Sequence, residues 1–124
     1  VAQSEFRPGR SLVSVGGPAM QAINAGATVQ ATLQIREAGQ LGQLCISVWD
    51  TVGVIDITNA CQVTEITHNN DLLISTNANC AQFSETSLVS PIFGHVVQVN
   101  DELTVSVINN HTSNAQLQVS FTTI

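Results

Sequence analysis

The chain has 124 residues, 44% of them hydrophobic and only 10% charged, which suits one domain with one core and argues against disorder. It holds no Lys and no Tyr, and its three cations, Arg7, Arg10 and Arg36, leave a net charge of −6. Such a surface repels phosphate backbones, which excludes nucleic-acid binding. No apolar run approaches the roughly 20 residues of a membrane-spanning helix, so membrane insertion is not expected.

The opening, VAQSEFRPGR, is polar and charged from its third residue, unlike a secretion signal, and a start without Met is what a processed chain would show. Residues 1–20 carry two of the three arginines, two of the three prolines and three glycines. They are read as an N-terminal arm or first strand, followed by a β-sandwich domain over 21–124. An arm could add a strand to a neighbour's sheet, with Phe6, Leu12, Val13 and Val15 as its contact residues. Next, PAMQAIN at Pro18–Asn24 is the one stretch able to make a short helical turn.

Beyond it, period-two alternation dominates. TVQATLQI sets Val29, Ala31, Leu33 and Ile35 against Thr28, Gln30, Thr32 and Gln34. QLCISVW sets Leu44, Ile46 and Val48 against Cys45, Ser47 and Trp49, ELTVSVI sets Leu103, Val105 and Val107 against Thr104, Ser106 and Ile108, and QLQVSFT sets Leu117, Val119 and Phe121 against Gln116, Gln118 and Ser120. These are half-buried strands rich in β-branched residues. Shorter strands are expected at Leu12–Val15, Val52–Thr58, Val63–Thr67, Leu72–Ser75, Leu88–Val89 and Val96–Val99. Turn signals separate them: Gly16-Gly17-Pro18, Asn24-Ala25-Gly26, Ala38-Gly39, Asn69-Asn70-Asp71, Asn100-Asp101 and 109–114. About eight strands at this spacing predict an all-β fold, an antiparallel sandwich of jelly-roll-like or Ig-like form.

Two of the three cysteines sit in similar Asn-Ala turns, NAC at Cys61 and NANC at Cys80, with two strand candidates between them. A hairpin there would bring its outer ends together, so a Cys61–Cys80 disulfide is expected, worth about 3 kcal/mol by loop closure. Paired cysteines point outside the cytosol. Cys45 is left over, beside Trp49 on its strand. Either both faces of that strand are buried, or Trp49 is an interface anchor and Cys45 a link to another chain.

Catalytic chemistry is missing: GxSxG, P-loop, HExxH and EF-hand patterns do not occur. His68, His95 and His111 show no metal-ligand spacing and read as ordinary surface histidines. The Asn-Asp clusters at 69–71 and 100–102 fall where turns are needed, and a calcium site joining one of them to Asp50 or Asp56 is the lesser reading. No metal, cofactor or enzymatic activity is therefore expected. Asn110-His111-Thr112 is a possible N-glycosylation site.

Edge strands of soluble β proteins are usually guarded by Lys, other charges or Pro. Here the expected outer faces carry Thr, Gln and Ser. That favours a structural protein at the cell exterior or a particle surface: a filament subunit or a decoration protein on a virus-like shell. It would associate with copies of itself or a protein lattice through strand edges and the arm. The alternative is a secreted glycan-binding sandwich, disfavoured by an aromatic content of 4%.

Overall fold

The computed structural model describes residues 14–83 and 94–123. Eight strands run through them: β1 (Ser14–Ile23), β2 (Thr28–Gln34), β3 (Gly39–Asp50), β4 (Cys61–His68), β5 (Asp71–Asn79), β6 (Val96–Val97), β7 (Glu102–Asn109) and β8 (Ala115–Thr123). They form two antiparallel sheets, ordered β1-β8-β3-β6 and β2-β7-β4-β5 among the described residues. The expected all-β sandwich is what the chain forms. Among the described residues helix is confined to two single turns, Thr58–Ala60 and Cys80–Gln82.

The core follows from the alternation. Leu44, Ile46 and Val48 of β3 and Leu117, Val119 and Phe121 of β8 meet Leu33 of β2, Val63 and Ile66 of β4, and Leu103, Val105 and Val107 of β7. Where the apolar period slips, the ladder slips with it. Val63 and Ile66 are three apart and both buried, and the register jumps between Val63 and Glu65 on both sides of β4. Leu41 and Leu44 are likewise three apart and buried, and β3 shifts against β8 between them. In each case one extra residue, a bulge, returns the second side chain to the core.

A third shift absorbs Pro18. The β1–β8 ladder breaks between Gly16 and Ala19, then resumes to Ile23 opposite Ala115. Proline supplies no N–H to a ladder, so it fits an outer strand at a bulge. The helical turn expected over Pro18–Asn24 is therefore corrected: that stretch is strand as far as Ile23. At the β4–β5 turn, Asn69 and Asn70 both take positive φ (51° and 71°), the backbone of a two-residue hairpin that asparagine tolerates well.

The sandwich has two ends. One collects the end of β3 and the start of β8 (Asp50 opposite Ala115) with the start of β4 and the end of β7 (Cys61 opposite Asn109). The other collects the start of β3 with β6 (Gly39 opposite Val97) and the end of β4 with the start of β7 (His68 opposite Leu103).

Candidate functional site

The most distinctive surface lies at the first end, where β3 runs into Thr51-Val52-Gly53-Val54-Ile55. Val52 is 92% exposed, Val54 75% and Ile55 61%. This is no frayed strand. The Asp50 carboxylate accepts hydrogen bonds from the Val52 N–H (2.6 Å) and the Gly53 N–H (3.2 Å), and the Asp50 N–H donates to the Ile55 carbonyl at 2.7 Å. Trp49 and Asp56 then close the loop as an antiparallel bridge. Asp56 in turn accepts from the Thr58 hydroxyl (2.6 Å) and N–H (2.9 Å).

Both carboxylates are held below their ordinary pKa. The Val52 and Gly53 N–H groups do this for Asp50, in that order, and the Thr58 hydroxyl and then its N–H do it for Asp56. The loop is thus a braced platform with an ionised base and an aliphatic tip. Val54 has φ 52°, a left-handed backbone that a β-branched side chain rarely adopts. Residues held in such conformations persist only where surrounding contacts enforce them.

Strands were expected over Val52–Thr58, and that expectation is corrected: 52–55 is the loop, and only Asp56 bridges back. A local signal was present. Asp50-Thr51-Val52-Gly53 places Asp first and Gly fourth, the preferred ends of a tight turn.

Of the other expected contact residues, Phe6, Leu12 and Val13 lie outside the described residues, and Val15 lies in β1 opposite Thr122. Trp49 and Cys45 are half-buried on the outer side of β3, whose Leu44, Ile46 and Val48 point inward. Strand β2 ends its sheet among the described residues. It pairs with β7 over seven residues without a shift and carries no charge and no proline. Its outward Thr32 hydroxyl meets that of Thr104 at 3.2 Å. Strand β5, at the opposite edge, is interrupted by two shifts against β4, which blunt it.

The chain matches no protein-family model, no curated protein and no solved structure. Function must therefore be argued from this surface.

The disulfide expectation is corrected. Cys61 and Cys80 do flank the last pair of the β4–β5 hairpin, Gln62 opposite Asn79, yet both are free, fully buried thiols. The Cys61 Sγ–H is directed elsewhere, toward the Ile57 carbonyl (3.6 Å) and the Asn109 Oδ1 (3.7 Å). Burial raises the Cys61 thiol to about 11 and the Cys80 thiol to about 12, the latter helped by Cys61, so neither is a nucleophile. Asn110 is exposed in the β7–β8 turn, its N–H bonded to the Ala60 carbonyl.

Asp50 and Asp56 lie at the opposite end from Asp101, so the calcium grouping does not assemble. Instead Asp101 gathers the second end. Its carboxylate accepts from the Asn69 side chain (2.9 Å) and the Gln98 N–H (2.8 Å), and contacts His68 Nε2 at 2.7 Å. His68 Nδ1 in turn meets His95 Nε2 at 3.0 Å. The Asn69 side chain, the Gln98 N–H and His68, in that order, bring Asp101 down to about 2. His68 and His95, read from the sequence as ordinary surface histidines, are paired across 27 residues of sequence.

Proposed function

We propose that the chain is a non-enzymatic assembly protein, a filament subunit or a decoration protein on a virus-like shell, at the cell exterior or a particle surface. The observation that carries this is the Val52–Ile55 loop, which keeps three aliphatic side chains in water on a hydrogen-bonded base. An isolated monomer gains nothing from that arrangement. Lone exposed aliphatics are ordinary, but three together on a strained, braced loop form an anchor for an apolar recess on another protein. The uncharged β2 edge supplies a second surface on which main-chain groups can pair with a neighbour.

Location outside the cytosol was argued from a disulfide that is not formed, so it now rests on the assembly reading alone. The glycan-binding reading is the weaker one, since the exposed large apolar side chains among the described residues are all aliphatic or Met20, and Trp49 on the outer side of β3 is half-buried.

Sedimentation velocity of the wild type beside a Val52→Ser/Val54→Ser/Ile55→Ser variant tests the proposal. Assembly by the wild type and a monomeric, folded variant are expected. Equal sedimentation of two assembling proteins would remove the loop from the interface.

A further inference from the structure

The geometry points to a divalent transition-metal site between His68 and His95, at the end of the sandwich away from the Val52–Ile55 loop. His68 closes β4 in one sheet, while His95 immediately precedes β6 in the other. A metal held by both would tie the two sheets together at this end.

The argument starts from Asp101. As an ionised carboxylate it can only accept, so the 2.7 Å contact fixes the proton of neutral His68 on Nε2. The Nδ1 lone pair is then free to face His95 Nε2, 3.0 Å away, and one proton is shared between the two nitrogens. A carboxylate on the far nitrogen is the device that fixes the tautomer and raises the basicity of metal-binding histidines. Asp101 is itself held by Asn69 and Gln98, so this support is rigid.

A tetrahedral metal about 2.0–2.1 Å from each nitrogen places them roughly 3.3–3.4 Å apart, so the nitrogens separate by a few tenths of an ångström and the rings turn by roughly 35° to bring both lone pairs onto the metal. The two rings are edge-on at 86°, and the His68 side chain, 18% exposed, gives a solvent path. On binding, His95 moves its proton from Nε2 to Nδ1 while His68 keeps its own, so neutral rings release no proton. The surrounding charge favours a cation: Asp71 pairs with His68 across the hairpin and Glu102 follows Asp101, while Arg36 and Glu37, which follow Ile35, whose N–H bonds the Asp101 carbonyl, offset each other. Among the described residues no group of three or more His, Cys, Asp or Glu could hold a metal ion, so the site offers two protein ligands, the imidazoles of His68 and His95.

Calorimetric titration with Zn2+ and Cu2+, each alone, tests the site. Binding of one ion per chain is expected, reversed by EDTA and tighter for Cu2+ than for Zn2+. His68→Gln and His95→Gln should each weaken it at least tenfold, Asp101→Asn by about 10–100-fold, and His111→Gln not at all. In the wild type, Cu2+ should broaden the ring signals of His68 and His95 well before those of His111. That reading needs no variant, so it survives a substitution that unfolds the chain. No saturable binding, equal broadening of all three histidines, or wild-type affinity in His95→Gln would overturn the site.

Discussion

Val54 offers a direct test of whether the exposed loop is held in a costly shape. Its φ of 52° sets the Cβ against the following carbonyl, a conformation that costs an L-residue about 1–2 kcal/mol. Its side chain is 75% exposed, so removing it sacrifices little packing. Asparagine tolerates the left-handed region, and Val54→Asn should therefore stabilise the monomer by about 1 kcal/mol. Glycine fits as well but widens the unfolded ensemble, so Val54→Gly should gain less, about 0.5 kcal/mol. Unfolding entropy for 124 residues is about 0.26 kcal/mol/K, so 1 kcal/mol corresponds to a rise of about 4 °C in Tm. The assay is urea and thermal unfolding at concentrations too low for association. The same variants, run concentrated, should associate less, separating fold stability from surface function. A lower Tm for both variants would refute the reasoning, because it would mean that Val54 packs rather than strains.

Other expectations follow from named contacts. Asn109 is fully buried, and its side chain donates to the Ile23 and Ser113 carbonyls and accepts from the His111 N–H. Asn109→Ala leaves those groups unpaired and should cost about 3–4 kcal/mol in urea unfolding; a loss under about 1 kcal/mol would contradict this. Asp101, lowered to about 2, contributes stability that is complete above its unfolded pKa near 4 and lost as pH falls toward 2. Acid unfolding of Asp101→Asn should therefore lose sensitivity in that window, and an unchanged pH profile would count against the contact. A thiol reagent on the native chain should label Cys45 ahead of the buried Cys61 and Cys80, and intact mass should show all three reduced. Association of chains with a net charge of −6 should strengthen with salt, as screening removes repulsion between copies.

The fold was legible where one rule acted alone. Strand β8 alternates without error along its length, and β2, β3 and β7 were read from the same period. The bulges were not read, although Val63–Ile66 and Leu41–Leu44 are spaced by three and a sheet can bury both only by slipping. Strand β1 was missed beyond Val15 because Gly-Gly-Pro reads as punctuation, whereas a bulge lets an outer strand carry it. The loop was missed because Val52, Val54 and Ile55 look like strand residues, and only the Asp50–Gly53 spacing says turn. The histidine pair left no local trace at all. It exists because β4 and the start of β6 end at the same corner of opposite sheets, a fact of topology rather than of spacing. The hairpin that brings Cys61 and Cys80 close was foreseen correctly, but proximity did not decide the bond, since the Cys61 thiol turns to Ile57 and Asn109.

The central claim is that the chain associates through its braced apolar loop. Light scattering over a wide concentration range, with and without reductant, tests it most directly. The account predicts particles well above the 13.1 kDa monomer that grow with concentration and are unaffected by reductant, because the contacts are the aliphatic side chains of the loop and Cys61 and Cys80 are buried thiols. A 13.1 kDa monomer at every concentration and salt level would contradict self-assembly.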